Sequence, residues 1–287
     1  MNKVLIIGCS HLNGAYDKND NVVGPESWGW QLYQIRKTQD QYIAIACPGQ
    51  GIMHYGMIIQ ELDKEGLLND FTHCIIQLTD EPRLNFHKPN SINNYMEKVI
   101  ELVKNVQPNK PGYTCDQTLG TLYWSTAAIH TKQRAQFEHF EERFPGVKEK
   151  TIWLDITEEI ADCLSNESTF VKSIFPIYYR SIMQILNKND ITPIVFDFWG
   201  KSADVYQYMN DRVCGSEFVL DSLKHEAINR DVWNISNRSI GGHHDKNNTL
   251  EFAKIINEFV SERLSVEPEK QKTIVKKSFF RNILGQH

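Results

Sequence analysis

Apolar runs of strand length alternate with stretches of helical periodicity along much of this chain. Val4-Leu5-Ile6-Ile7 is unbroken, branched and apolar, and Gly8 ends it. Such a run predicts a strand covered on both faces, as in a parallel sheet. Runs of the same kind recur at residues 42–49 (YIAIACPG), 72–83 (THCIIQLTDEPR) and 191–200 (ITPIVFDFWG), with a shorter one at 231–236 (DVWNIS). Between them, Ile92, Tyr95, Met96, Val99, Leu102, Val103 and Val106 share one face at the helical period, which predicts an amphipathic helix. Further helices are expected at 27–37, at 53–66 with Gly66 closing it, near Pro176 within 173–190, and at 247–264. Strands alternating with helices imply βαβ units. The expected fold is therefore α/β, a three-layer α/β/α sandwich on a mainly parallel sheet of about five strands.

Two segments interrupt the alternation. Residues 107–170, from QPNKPGYTCDQTLG to FEHFEERFPG, are rich in aromatic and charged residues and read as an insertion in a domain spanning 1–265. Residues 266–287 read as a charged linker followed by a basic, aromatic tail. Within the tail, 276–287, Phe279, Phe280, Ile283 and Leu284 fall on one side of a short helix, with Lys276, Lys277 and Arg281 around it. Such a segment can dock on a protein partner, pair with a second copy, or fold back on its own domain.

Composition narrows the classes. A chain of 287 residues with 41% hydrophobic and 23% charged content is globular and long enough for a substantial core. Thirty-one basic against 36 acidic residues leave a net charge of -5, so no nucleic-acid partner is expected. No apolar run approaches the roughly 20 residues that span a bilayer, so no transmembrane segment is expected. The run after Met1-Asn2-Lys3 turns polar by Ser10, which argues against a signal peptide and for a cytoplasmic or virion-associated protein. Cysteines at 9, 47, 74, 115, 163 and 214 form no CxxC and no close pair, so neither a structural zinc site nor a disulfide framework is expected.

The candidate chemistry lies at strand ends. Ligands of open α/β sheets bind just outside the carboxyl ends of the strands, and Ser10 follows the first strand directly. A serine becomes a nucleophile when a base takes its proton, and histidine is the usual base. His243, in GGHHDKNNTLEFAKII, precedes the last expected helix and would share that rim.

These blocks resemble the SGNH, or GDSL-like, hydrolases. In that family the nucleophilic serine lies in a Gly-Asp-Ser turn after the first strand. IIGCSHLNG matches it with Ser10 as the serine and Cys9 where Asp is usual. ACPGQG resembles the second block, whose glycine, here Gly49, helps hold an oxyanion. The last block aligns His243 with the catalytic histidine and Ala253 with a small helix residue. The third block departs: Thr79, Asp80 and Glu81 stand where Gly-x-Asn-Asp is usual, and Ile240 stands where an acid precedes the histidine. The resemblance covers roughly residues 3–83 and 190–260 and implies an SGNH-hydrolase-like sheet of flavodoxin-like topology. It further implies hydrolysis of a small-molecule or glycan ester, an O-acetyl or other acyl group, with Ser10 attacking and His243 as base. No cofactor or metal is implied.

Elementary chemistry fills the remaining roles. The N–H groups of Ser10 and Gly49, with Thr79 or Arg83, are candidate oxyanion donors. Asp245 and Asp197 are candidates for the acid that orients the imidazole, with a backbone carbonyl in that role, or no third group at all, as the alternatives. His243, His244 and Asp245 are adjacent rather than spaced as metal ligands. Each residue also has a plainer reading: Ser10 as a helix cap, Cys9 as a core residue, the histidines as a surface pair. A non-catalytic protein that keeps this fold for binding or assembly is the alternative function, and an acyl transferase a remoter one.

Overall fold

The computed structural model describes residues 1–19, 21–46, 51–78, 83–86, 89–107, 109–115, 127–130, 175–197 and 244–265. The strand expected at 231–236, the tail at 266–287, and the site candidates Gly49, Thr79 and His243 lie outside the described residues.

Strand β1 (Asn2–Gly8) is central. Val4, Leu5, Ile6 and Ile7 are each 0% exposed, which is why none of them is polar. After β1 the chain makes a single 3-10 turn, Ser10–Leu12, and then a hairpin of β2 (Ala15–Tyr16) and β3 (Val22–Gly24). Helix α1 (Trp28–Arg36) follows, with Ser27 accepting the Trp30 N–H as its cap. Strand β4 (Asp40–Ala46) is buried throughout, and helix α2 (Ile52–Lys64) leads to the equally buried β5 (His73–Leu78). Next come β6 (Arg83–Phe86), α3 (Pro89–Lys104), β7 (Gly112–Cys115) and β8 (Ala127–His130). Helix α4 (Phe175–Lys188), β9 (Thr192–Asp197) and helix α5 (Lys246–Ser265) complete the described chain.

The main sheet has five strands, all parallel, in the order β7-β4-β1-β5-β9. Helix α1 packs on α5, and α2 packs on α4 and α3, so helices flank the sheet as a three-layer sandwich. The run β4-β1-β5-β9 follows the expected flavodoxin-like order. Strand β7 departs from it by joining outside β4 instead of next in line beyond β5. It comes from the segment read as an insertion, and β8 from the same segment pairs with β6 in a separate antiparallel ribbon. The residues of β7 are only partly buried, as suits an edge strand, and so lack the apolar run that marks the inner strands.

Helices α2 and α4 end in the same way. Leu67 N–H bonds to the Leu62 carbonyl and Gly66 N–H to that of Asp63, with Gly66 at φ 68°. At the end of α4, Ile191 N–H bonds to Leu186 and Asp190 N–H to Asn187, with Asp190 at φ 58°. Both are Schellman closures, whose left-handed residue is usually glycine. Gly66 therefore closes α2 as its sequence position suggested.

Helix α5 is held at both ends. Lys246 pairs with Glu26 at 2.7 Å and Thr249 Oγ1 donates to the Glu26 carbonyl at 2.8 Å. Further along, Arg36 reaches Asn257 Oδ1 and Ser261 Oγ. Ala253, the small helix residue of the last block, is 0% exposed. No helix among the described residues is long and apolar enough to cross a membrane.

Candidate functional site

The carboxyl ends of the inner strands form one rim, because the parallel register aligns them. Gly8 pairs with Ala46, Ile7 with Ile76, and Leu78 with Asp197. The chain leaves β1 through α1 for β4 on one side and crosses back from β4 through α2 to β5 on the other. Right-handed crossovers in opposite directions put α1 and α2 on opposite faces, so β1 ends at a topological switch point. Crevices form at such points because the connections diverge. Ser10 stands two residues past Gly8 at that place and is partly exposed.

Cys9, with extended backbone (φ -82°, ψ -159°), occupies the cap position of the 3-10 turn, and Ser10 is its first residue. The plainer reading of Ser10 as the cap of an α-helix is therefore not what the chain does. The first α-helix begins at Trp28 and uses Ser27. The turn is closed by Leu12 N–H to the Cys9 carbonyl at 2.9 Å and Asn13 N–H to the Ser10 carbonyl at 3.0 Å.

Cys9 is 1% exposed and packs as a core residue. Its sulfur accepts Gln77 Nε2 at 3.3 Å, while Gln77 Oε1 accepts the indole N–H of Trp28 at 3.0 Å. Gln77 is fully buried in β5, so these bonds offset the cost of burying its amide. Its path depends on Gly8. A Cβ there would stand 2.5 Å from Gln77 Oε1 and 3.2 Å from Gln77 Cβ. The signal for Gln77 was present in the sequence: a lone amide inside HCIIQL must find partners once that strand is buried.

His11, next to Ser10, and His244, next to His243, are both buried, at 3% and 2% exposure. Their ring centroids lie 5.3 Å apart, and the His244 ring also meets Phe252 of α5. Tyr16 links the same two segments. Its hydroxyl donates to the Ser10 carbonyl at 3.0 Å and its backbone N–H donates to the His244 carbonyl at 3.0 Å. Nothing in the sequence pointed to Tyr16, because its position depends on a hairpin strand of two residues.

The remaining candidates fall in different places. Asp245 Oδ1 accepts the Asn248 N–H at 2.9 Å, which caps α5. Asp197 is the last residue of β9, two strands from β1, or about 10 Å across the sheet. Arg83 opens β6, in the two-stranded ribbon with β8 and outside the main sheet's ladder. No cluster of three or more metal-ligating side chains occurs among the described residues.

No family model matches the chain, and neither the curated proteins nor the solved structures provide a match.

Proposed function

We propose that this chain is an ester hydrolase of the SGNH type, with Ser10 as nucleophile and His243 as base. One observation carries the reading. The Ser10 turn, at the switch point of the sheet, is tied through Tyr16 to the segment that contains His244. Burial of the His244 ring against His11 and Phe252 is the packing of a structural histidine, which favours its neighbour for the chemistry.

In this mechanism Ser10 Oγ bonds to the ester carbonyl carbon while His243 takes the hydroxyl proton. The N–H groups of Ser10 and Gly49, assisted by Thr79 or Arg83, hold the oxyanion. Collapse breaks the bond to the alcohol oxygen, which leaves with the proton from His243. Water, deprotonated by the same imidazole, then releases the acid and restores Ser10. Asp245, through its cap on α5, sets where the histidine segment enters that helix, which leaves Asp197, at the end of β9, as the remaining candidate for the orienting acid. The reaction as written uses no metal or cofactor. Its substrate is a small-molecule or glycan ester, and the tail 276–287 serves a protein partner or a second copy.

A fluorophosphonate probe tests the reading. It should label the intact chain at Ser10, Ser10→Ala should abolish labelling, and His243→Ala should suppress it strongly. An intact chain that neither labels nor cleaves a panel of short-chain esters would leave a fold used for binding, and the hydrolase reading would be withdrawn.

A further inference from the structure

We propose that Tyr16 is a positioning residue of this site, an inference that rests on the hydrolase reading above. Tyr16 is 7% exposed and contributes two donors to two different segments. Its hydroxyl bonds the Ser10 carbonyl, and its N–H bonds the carbonyl of His244, one peptide beyond the proposed base. The Ser10 carbonyl also accepts from Asn13, so both of its lone pairs are engaged. A carbonyl held from two directions restrains ψ of Ser10, and with it the direction of the Cα–Cβ bond from which Oγ swings. The histidine segment is referenced to the same residue. The Ser10 turn and the segment that starts at His244 thus share one reference, in a site where a displacement of about 1 Å can cost on the order of a hundredfold in rate.

The two links can be separated by mutation. Tyr16→Phe removes one oxygen, keeps the ring that fills the site, and leaves the backbone bond to His244 in place. Only the Ser10 side of the reference is lost. Tyr42→Phe is the matching control: it deletes a buried tyrosine hydroxyl bond, to Asp40 at 3.0 Å, at the amino end of the same sheet. The measurements are the fluorophosphonate labelling rate, kcat and KM on p-nitrophenyl acetate, and the melting temperature of each chain.

Tyr16→Phe should slow labelling and lower kcat by about ten- to a hundredfold with KM little changed. Tyr42→Phe should label at the intact chain's rate although it melts lower. Wild-type labelling rates in Tyr16→Phe overturn the proposal. So does an equal loss of labelling in both variants, because that would be general destabilisation. An intact chain that does not label at all is a different failure: it removes the hydrolase reading and takes this inference with it.

Discussion

Trp28 of α1 donates its indole N–H to Gln77 of β5 at 3.0 Å, passing over the end of β1 where Gly8 has no side chain. Gln77 then donates to Cys9, the residue just before Ser10. Helix, neighbouring inner strand and Ser10 turn are thereby joined by one buried amide. Cys9, which stands where the resembled family has Asp, receives here a bond from a neighbouring strand.

Replacing Gln77 by Leu should leave the Trp28 N–H buried without its acceptor and cost about 1–3 kcal/mol. Trp28→Phe should also destabilise, but the pair of substitutions together should cost less than their sum, since neither partner is then left unsatisfied. Urea unfolding of the two single variants and the double variant measures the coupling. Strict additivity would show that the bond contributes nothing.

At the other end of the sheet, Asp40 is 0% exposed and surrounded by donors. Arg36 Nε lies 2.6 Å from Oδ2, Tyr42 OH 3.0 Å from the same oxygen, and Asn2 Nδ2 2.9 Å from Oδ1. Burial, and then the Asp40 carboxylate, hold the Tyr42 hydroxyl protonated well above the usual tyrosine range. Asp40→Asn should cost about 3–5 kcal/mol, because it strips the counter-charge from a largely buried guanidinium. The same variant, assayed below its melting point, should still label at Ser10. Stability unchanged from the intact chain would show that Arg36 finds adequate solvation without its partner.

Acid should loosen the start of α5. The Lys246 ammonium, hydrogen-bonded to Glu26, holds that carboxyl below the usual range, with burial opposing it. A carboxyl with a lowered folded pKa contributes stability above its unfolded value and loses it as pH falls through the folded value. Lys246 also stands at a helix N-terminus, where a cation is disfavoured, so Glu26 offsets a local cost. Glu26→Gln should therefore destabilise by about 0.5–1 kcal/mol at neutral pH. Its unfolding free energy should converge on that of the intact chain as pH drops below about 4. A gap that persists undiminished into acid would assign the effect to packing instead.

The two Schellman closures make opposite predictions. Gly66→Ala should cost about 1 kcal/mol, because a Cβ is disfavoured at positive φ. Asp190→Gly should stabilise by a few tenths to about 1 kcal/mol by removing that penalty, net of the glycine's greater unfolded freedom. Thermal melts decide the pair, and a destabilised Asp190→Gly would mean that the carboxylate contributes more than the strain costs.

The inner strands could be read directly from the chain. β1, β4 and β5 are covered on both faces, and dual burial leaves an unbroken apolar run. The helices were legible for the same reason, since Tyr95, Val99 and Val103 are buried where their period places them on one face of α3. Ser10 was legible as a site candidate because an abrupt polar turn after such a strand marks its carboxyl end. The tertiary structure decided which strands became neighbours. A short, half-buried edge strand such as Gly112–Cys115 has the same local pattern on either side of the sheet, and only packing against β4 selects one. It also decided the partners of Gln77 and Tyr16. A hydrogen-bond donor records in sequence that it needs an acceptor, but the acceptor is chosen when distant segments are brought within 3 Å, and that follows from the burial of the whole core.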